Sequence, residues 1–502
     1  MKFLLRFALA LVAVTSPLLA EVKLASPFTS HMVLQREMPV PIWGTAAPGE
    51  AVIVKFAGQK KTTVAGADGK WRVTLDALDT SSEGRSFVVF GALTATPLQL
   101  DDVLVGEVWL ASGQSNMVFP ISKAHAPFAG LTNEAEEIAA ANHPLVRMFT
   151  GKADGTYTPQ ETVQGEWLVA TPANAPDFSA IGYFFARDLQ KELNVPVGVI
   201  TMAFGASCVH AWIRREAIEA DPQLKPVLDQ FDAQVKSFVP PTAQQLADWQ
   251  KAVNAAKAAH KKPPGKPGNN PVTNQHNPTV LYNSLIAPIV PYAIRGVIWY
   301  QGESITDPKP LFPIFTATLI SDWRKLWGSD LPFYFCQLAA LQNPSNSPQV
   351  REWQAEALKI PGTAMAVTID IGDPKNVHPK NKQAVGDRLS RIALAKNYDR
   401  KIEFSGPQFE SATIDGSTIR VKFTHADGLT AKDGPLKTFE IAGIDGNYLP
   451  AEATISGDAV IVKNSAVTSP VTVRYAWANY PEGCNLINGA GLPAAPFRSD
   501  KH

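Results

Sequence analysis

Cysteine is scarce in this chain: Cys208, Cys336 and Cys484 are the only three. Three thiols cannot build a disulfide framework, and their spacing fits no zinc site, so neither staples nor a metal are expected. Charge is scarce as well. Charged residues make up 18% of the chain, against about 25% in an average globular protein. The 46 Lys and Arg balance the 46 Asp and Glu, which argues against a protein built to hold nucleic acid. No stretch after the first twenty residues has the apolar length of a membrane span, which takes about 20 residues.

What remains is ample material for cores: 45% of the 502 residues are hydrophobic, and 40 prolines and 34 glycines supply turns. The length predicts two or three domains. Residues 1–20 stand apart. Lys2 and Arg6 precede and enter an apolar run over 7–14, and small residues follow to Ala20. This pattern predicts a secretory signal peptide cut after Ala20, and hence a periplasmic or extracellular protein.

Residues 21–100 read as an N-terminal β-sandwich region. "AVIVKFAG", "KWRVTL" and "RSFVVFG" are short, partly alternating and separated by turn-forming "APGE" and "GADGK". From 101 to 398 strands and helices alternate, which predicts an α/β domain with a largely parallel sheet. "VGEVWLAS", "VPVGVITMAF" and "YAIRGVIWY" are its strands; "SAIGYFFARDLQKEL" and "KQAVGDRLSRIALAK" are among its helices. A helical insertion is expected over about 215–275, and β texture returns over 399–502 as a C-terminal β-sandwich region.

In parallel sheets ligands sit at the carboxyl ends of strands, so chemistry is sought in the loops that follow them. "WLASGQSNM" places Ser115 just past a strand, beside Gly113. "AFGASCVHAW" offers the Gly205 N–H, and "WYQGES" offers the Gln301 amide and the Glu303 carboxylate. Of nine histidines, His378 lies in a strand-exit loop, "DIGDPKNVHPKNKQ"; His210, in the Gly205 loop, is its rival. A nucleophile, backbone and amide donors, and a base are the inventory of covalent serine hydrolysis.

Together, "GQSNM", "WYQGES" and "HPKNKQAVGDRL" resemble the sialate O-acetylesterase family of SGNH-type serine hydrolases, which is related to acetyl xylan esterases. "SHMVLQREMPVPIWGTAAPGE" and the C-terminal "VRYAWANYPEGCNLINGAGLPAAPFRSD" extend the resemblance over about 25–500. It implies a flavodoxin-like three-layer α/β domain with accessory β-structure and an exported esterase that removes O-acetyl groups from sugars. No cofactor or metal is implied. The nucleophile falls on Ser115, the base on His378, and the oxyanion donors on Gly205 and Gln301. Asn116, His210 and Glu303 are candidate cleft or substrate residues; His210 stands where the family often has Glu.

The wider superfamily places the acid three residues before the histidine, where this chain has Lys375. Asp373 is the first candidate for that acid; Asp370, Glu303 or a backbone carbonyl are alternatives. The partner is O-acetylated sialic acid or another acetylated glycan, such as xylan. Arg214 and Arg351 are candidates for a sialate carboxylate, and Trp212, Trp299 and Tyr300 for a neutral sugar platform. A carbohydrate-binding protein with a degenerate centre would lack the nucleophile or the base, and both are present. A serine peptidase is the third class, and chain-wide resemblance favours esters over it. The sequence does not decide the oligomeric state.

Overall fold

The computed structural model describes residues 21–94, 96–304, 311–342 and 347–500. The predicted signal peptide lies outside these residues. The fold is mixed α/β with several sheets. Across the centre the strands run in the order Trp167–Ala170, His143–Thr150, Val197–Ala203, Leu98–Gly113, Gly296–Tyr300, Phe333–Cys336 and Thr363–Ala366. Neighbours are parallel except at the Trp167–Ala170 edge, which is antiparallel. The chain moves to one side of Leu98–Gly113 and then to the other, so this strand lies at the topological switch point.

Leu98–Gly113 changes character along its 16 residues. Residues 98–102 alternate between half-exposed and exposed positions, and the strand pairs with Ser81–Gly91 as far as Val105. Its second half is buried throughout and pairs with parallel neighbours on both sides. That is the burial expected of a strand covered on both faces. The N-terminal β region therefore runs into the α/β part through one unbroken strand. Glu107, in the buried half, receives hydrogen bonds from Arg36 (2.6 Å) and Arg295 (2.9 Å), which join the two regions.

Alternate residues of the central strands feed two cores. Val108, Leu110, Val297, Trp299 and Phe335 enter one, which continues into the N-terminal β region. Trp109, Ala111, Ile298, Tyr300 and Cys336 enter the other, under the helices Ala180–Leu193 and Lys382–Asn397. Those two helices pack closely: a Cβ on Gly386 would lie 2.5 Å from Phe184 Cβ. Ser179 caps the first by accepting the Gly182 N–H.

The 215–275 segment carries the helices Arg215–Glu219, Lys225–Ser237 and Ala243–Ala258. The last buries only Val253 and begins with a Thr242–Gln245 capping box, so local hydrogen bonds hold it more than packing does. After residue 400, two four-stranded sheets share a third core around Phe423, Phe439, Tyr475 and Phe497. "YAIRGVIWY" is a strand only over Gly296–Tyr300. The Tyr292 backbone is engaged elsewhere: its N–H donates to Ile289 O (2.6 Å), and its carbonyl accepts from the Trp327 indole (2.8 Å).

Candidate active site

The central strand ends in a turn that demands glycine. Gly113 has φ +132°, and a Cβ there would lie 2.1 Å from the Tyr300 carbonyl oxygen. The next residues are stitched to strands on both sides. Gln114 N–H donates to Tyr300 O (2.9 Å), and Phe204 N–H donates to Gly113 O (3.0 Å). Ser115 then opens the single helical turn Ser115–Val118.

His378 comes to Ser115 from a loop more than 250 residues away. Its Nε2 lies 2.8 Å from Ser115 Oγ, and in the tautomer with the proton on Nδ1 the hydroxyl donates and the imidazole accepts. Phe128 stacks on the imidazole, with centroids 4.6 Å apart. Asn376 Oδ1 accepts the His378 N–H (3.0 Å), which shapes the loop. Burial, and then the positive charge of Lys382, hold the imidazole pKa down to about 4.

The other loops meet at the same place. A Cβ on Gly205 would lie 3.8 Å from Ser115 Cβ. Gln301 is buried; one of its amide N–H groups donates to Ser207 O (3.1 Å). Gly302 N–H donates to Gln114 Oε1 (3.4 Å).

Asn116, buried, and Glu303, half-buried, meet beside the Ser115 turn. Asn116 Nδ2 donates to a Glu303 carboxylate oxygen and to Val377 O (3.0 Å). Its Oδ1 accepts from Lys382 Nζ (2.5 Å). Lys382 is 1% exposed, and burial pushes its pKa down to about 7. Burial pushes Glu303 up to about 6. Lys382 and Phe128 were not anticipated. Lys382 does carry a signal: it falls on the apolar stripe of its helix with Val385, Leu389 and Ile392.

The expected acid is not on the imidazole. Asp373 Oδ1 accepts the N–H groups of Lys375 (2.8 Å) and Asn376 (3.0 Å), as turn-forming aspartates do. Asp370 grips Arg388 with both oxygens (2.7 Å each). Among the described residues, none of the carboxylates hydrogen-bonds to His378. His210 is 2% exposed, donates to the His276 carbonyl (2.7 Å) and packs on Phe315, so it is a core residue. Trp212, Trp299 and Tyr300 are core residues too. Arg214 is paired with Asp322, and Arg351 is buried against carbonyls.

A cleft of about 880 Å³ opens beside the site, walled by Val118, Phe128 and Phe204. It also holds Lys152 and His125, both paired with Asp177 (3.5 and 3.1 Å).

The comparisons point the same way. A family model for carbohydrate esterases, the sialic acid-specific acetylesterases, matches residues 268–395. The match takes in His378 and Gln301 and leaves out Ser115. The mouse sialate O-acetylesterase is 28% identical over 95% of this chain and 94% of its own, and the human enzyme is 28% identical over 95% and 92%. The crystal structure of a carbohydrate acetylesterase from Xanthomonas citri superposes with a TM-score of 0.81 at 33% identity, covering 96% of this chain and all of that one.

The class is therefore a carboxylic-ester hydrolase of the carbohydrate acetylesterase kind. Within that class, the chain belongs to the sialate O-acetylesterase family.

Proposed function

We propose that this protein cleaves acetyl esters of sugar hydroxyls through an acetyl-enzyme formed on Ser115, with His378 as base. The observation that carries this is the 2.8 Å contact between Ser115 Oγ and His378 Nε2 at the switch point of the sheet. Ser115 Oγ attacks the acetyl carbonyl while Nε2 takes its proton. The N–H groups of Ser115 and Gly205, and the second amide N–H of Gln301, stabilise the oxyanion. Collapse breaks the bond to the sugar oxygen, which leaves with the proton from the imidazolium. Water then repeats the sequence on the acetyl-enzyme: His378 takes its proton, acetate departs, and Ser115 Oγ recovers the proton. The site is a dyad. The Phe128 stack and the Asn376-capped loop orient the imidazole in place of a carboxylate.

The core alternation of the central strands supports a three-layer SGNH-type arrangement for the esterase part. The names of the mouse and human relatives support O-acetylated sialic acid as the substrate. A neutral acetylated glycan such as xylan is the second reading, favoured by one observation: Arg214 and Arg351, the expected carboxylate holders, are both occupied internally.

The test is acetate release from O-acetylated sialic acid and from acetylated xylo-oligosaccharide, by the wild-type chain and by Ser115→Ala. The variant is expected to fold and to lose about a thousandfold or more in kcat. A variant within about tenfold of wild type rejects the covalent route. The preferred substrate decides between the two sugars.

A further inference from the structure

A lysine on the apolar stripe of a helix, 1% exposed, demands a reason, since a buried ammonium is costly without partners. Lys382 has three kinds of partner. Its Nζ donates to Asn116 Oδ1 (2.5 Å) and sits 4.5 Å from the Phe119 ring centroid and 5.8 Å from that of Tyr300. Glu303 supplies the opposite charge across Asn116. Asn116 is the residue after Ser115, and its Nδ2 also holds Val377 O, the carbonyl immediately before His378. One buried amide thus joins the nucleophile turn, the histidine loop, the Glu303 loop and the Lys382 helix.

We propose that Lys382 is a positioning residue: through Asn116 it braces the Ser115 turn against the His378 loop, and its ammonium keeps a positive charge beneath the imidazole. The inference rests on the roles given above to Ser115 and His378. The groups around the pair are few. Lys382 faces Glu303, the Cys336 thiol, the Tyr300 and Phe119 rings and His378. His378 faces Ser115, the Phe119 and Phe128 rings and Lys382.

The sign follows from the charges. A cation near an imidazole disfavours its protonation, and so does burial. With Lys382 present, His378 remains a neutral base down to near pH 4. Lys382 is itself protonated throughout the range below its own value of about 7, so its charge is present where the imidazole titrates. Removing it raises the histidine pKa toward the ordinary 6.5 and moves the acid limb of the rate profile upward.

The experiment is kcat/KM against pH, with 4-nitrophenyl acetate as the probe, for the wild-type chain, Lys382→Met, Lys382→Arg and Ser115→Ala. Lys382→Met is expected to move the acid limb up by about half a pH unit or more, while burial keeps it below the ordinary imidazole value. It is also expected to lower kcat by about tenfold, with KM within about twofold. Lys382→Arg restores the limb, because the charge returns. A Lys382→Met limb within about 0.3 unit of wild type, with kcat unchanged, overturns the proposal. If Lys382→Met does not fold, Asn116→Ala cuts the same brace from the other end; wild-type kcat in that variant overturns the proposal equally. Ser115→Ala separates the two levels. Activity persisting there removes the reading of the site itself, while an inactive Ser115→Ala beside an unshifted Lys382→Met removes only the role of Lys382.

Discussion

Asp373 and Asp370 are the carboxylates closest to His378 along the chain on its N-terminal side; Asp373 serves the backbone of its own loop and Asp370 the Arg388 guanidinium, and neither bonds the imidazole. Chain proximity and the stiffening by Pro374 point to Asp373 as the acid. Yet an aspartate two residues before an N–H also closes a turn on itself, and here that local bond wins. The two roles predict different mutants. An acid on Nδ1 loses about ten-thousandfold when changed to the amide. A turn-forming Asp373 does not, because the Asn side-chain oxygen accepts the same two N–H groups. Asp373→Asn is therefore expected to keep kcat within about twofold of wild type, measured as acetate release at pH 7.

At the scale of the element, the strand ending at Gly113 decides where Ser115 stands. The backbone of the adjacent strand is so close that only glycine fits, and φ +132° is itself strained for any other residue. Gly113→Ala is expected to destabilise the protein by about 2 kcal/mol or more, since both the 2.1 Å overlap with Tyr300 O and the backbone strain must be relieved. Urea denaturation measures this, and kcat should fall along with stability because the Ser115 turn is what moves. The glycine beside the serine is readable in the sequence as a turn former. That it touches the carbonyl of a strand almost 190 residues later is not readable, because pairing across a parallel sheet is non-local. The same limit explains why the 98–113 strand, which spans two textures, reads as a boundary. Where periodicity is clean and local, as in the helices Ala180–Leu193 and Lys382–Asn397, the expected spans differ from the observed ones by a residue.

At the scale of the whole molecule, two buried charges join regions that the sequence presents separately. Glu107 links the N-terminal β region to the α/β part through Arg36 and Arg295. Arg351 links the α/β part to the C-terminal β region: it donates to Leu338 O and Ala339 O (2.9 Å each) on one side, and to Ala478 O (2.8 Å) and Asn479 O (2.9 Å) on the other. Burial lowers its pKa to about 10, so it remains charged at neutral pH. Arg351→Met is expected to cost about 3 kcal/mol, because buried carbonyls lose their donors. Amide exchange should quicken around residues 478–479 and in the strands of the C-terminal region. Unchanged exchange there would mean that Arg351 does not couple the two regions.

The sequence by itself determined the enzyme class, through post-strand loops bearing Ser115, Gly205, Gln301 and His378, and through motifs in a recognisable order. Those features are legible because residue type and local period are written directly in the chain. The tertiary structure alone decided the partners: that Ser115 Oγ meets His378 Nε2, that Asp373 turns to its own loop, that Arg351 and Trp212 are interior, and that Lys382 lies beneath the site. Apart from the Asp373 turn, which is local and competes with the imidazole, each of these depends on side-chain direction and on contacts between residues distant in the chain. A low-dielectric interior makes such contacts strong, and local sequence carries no record of them.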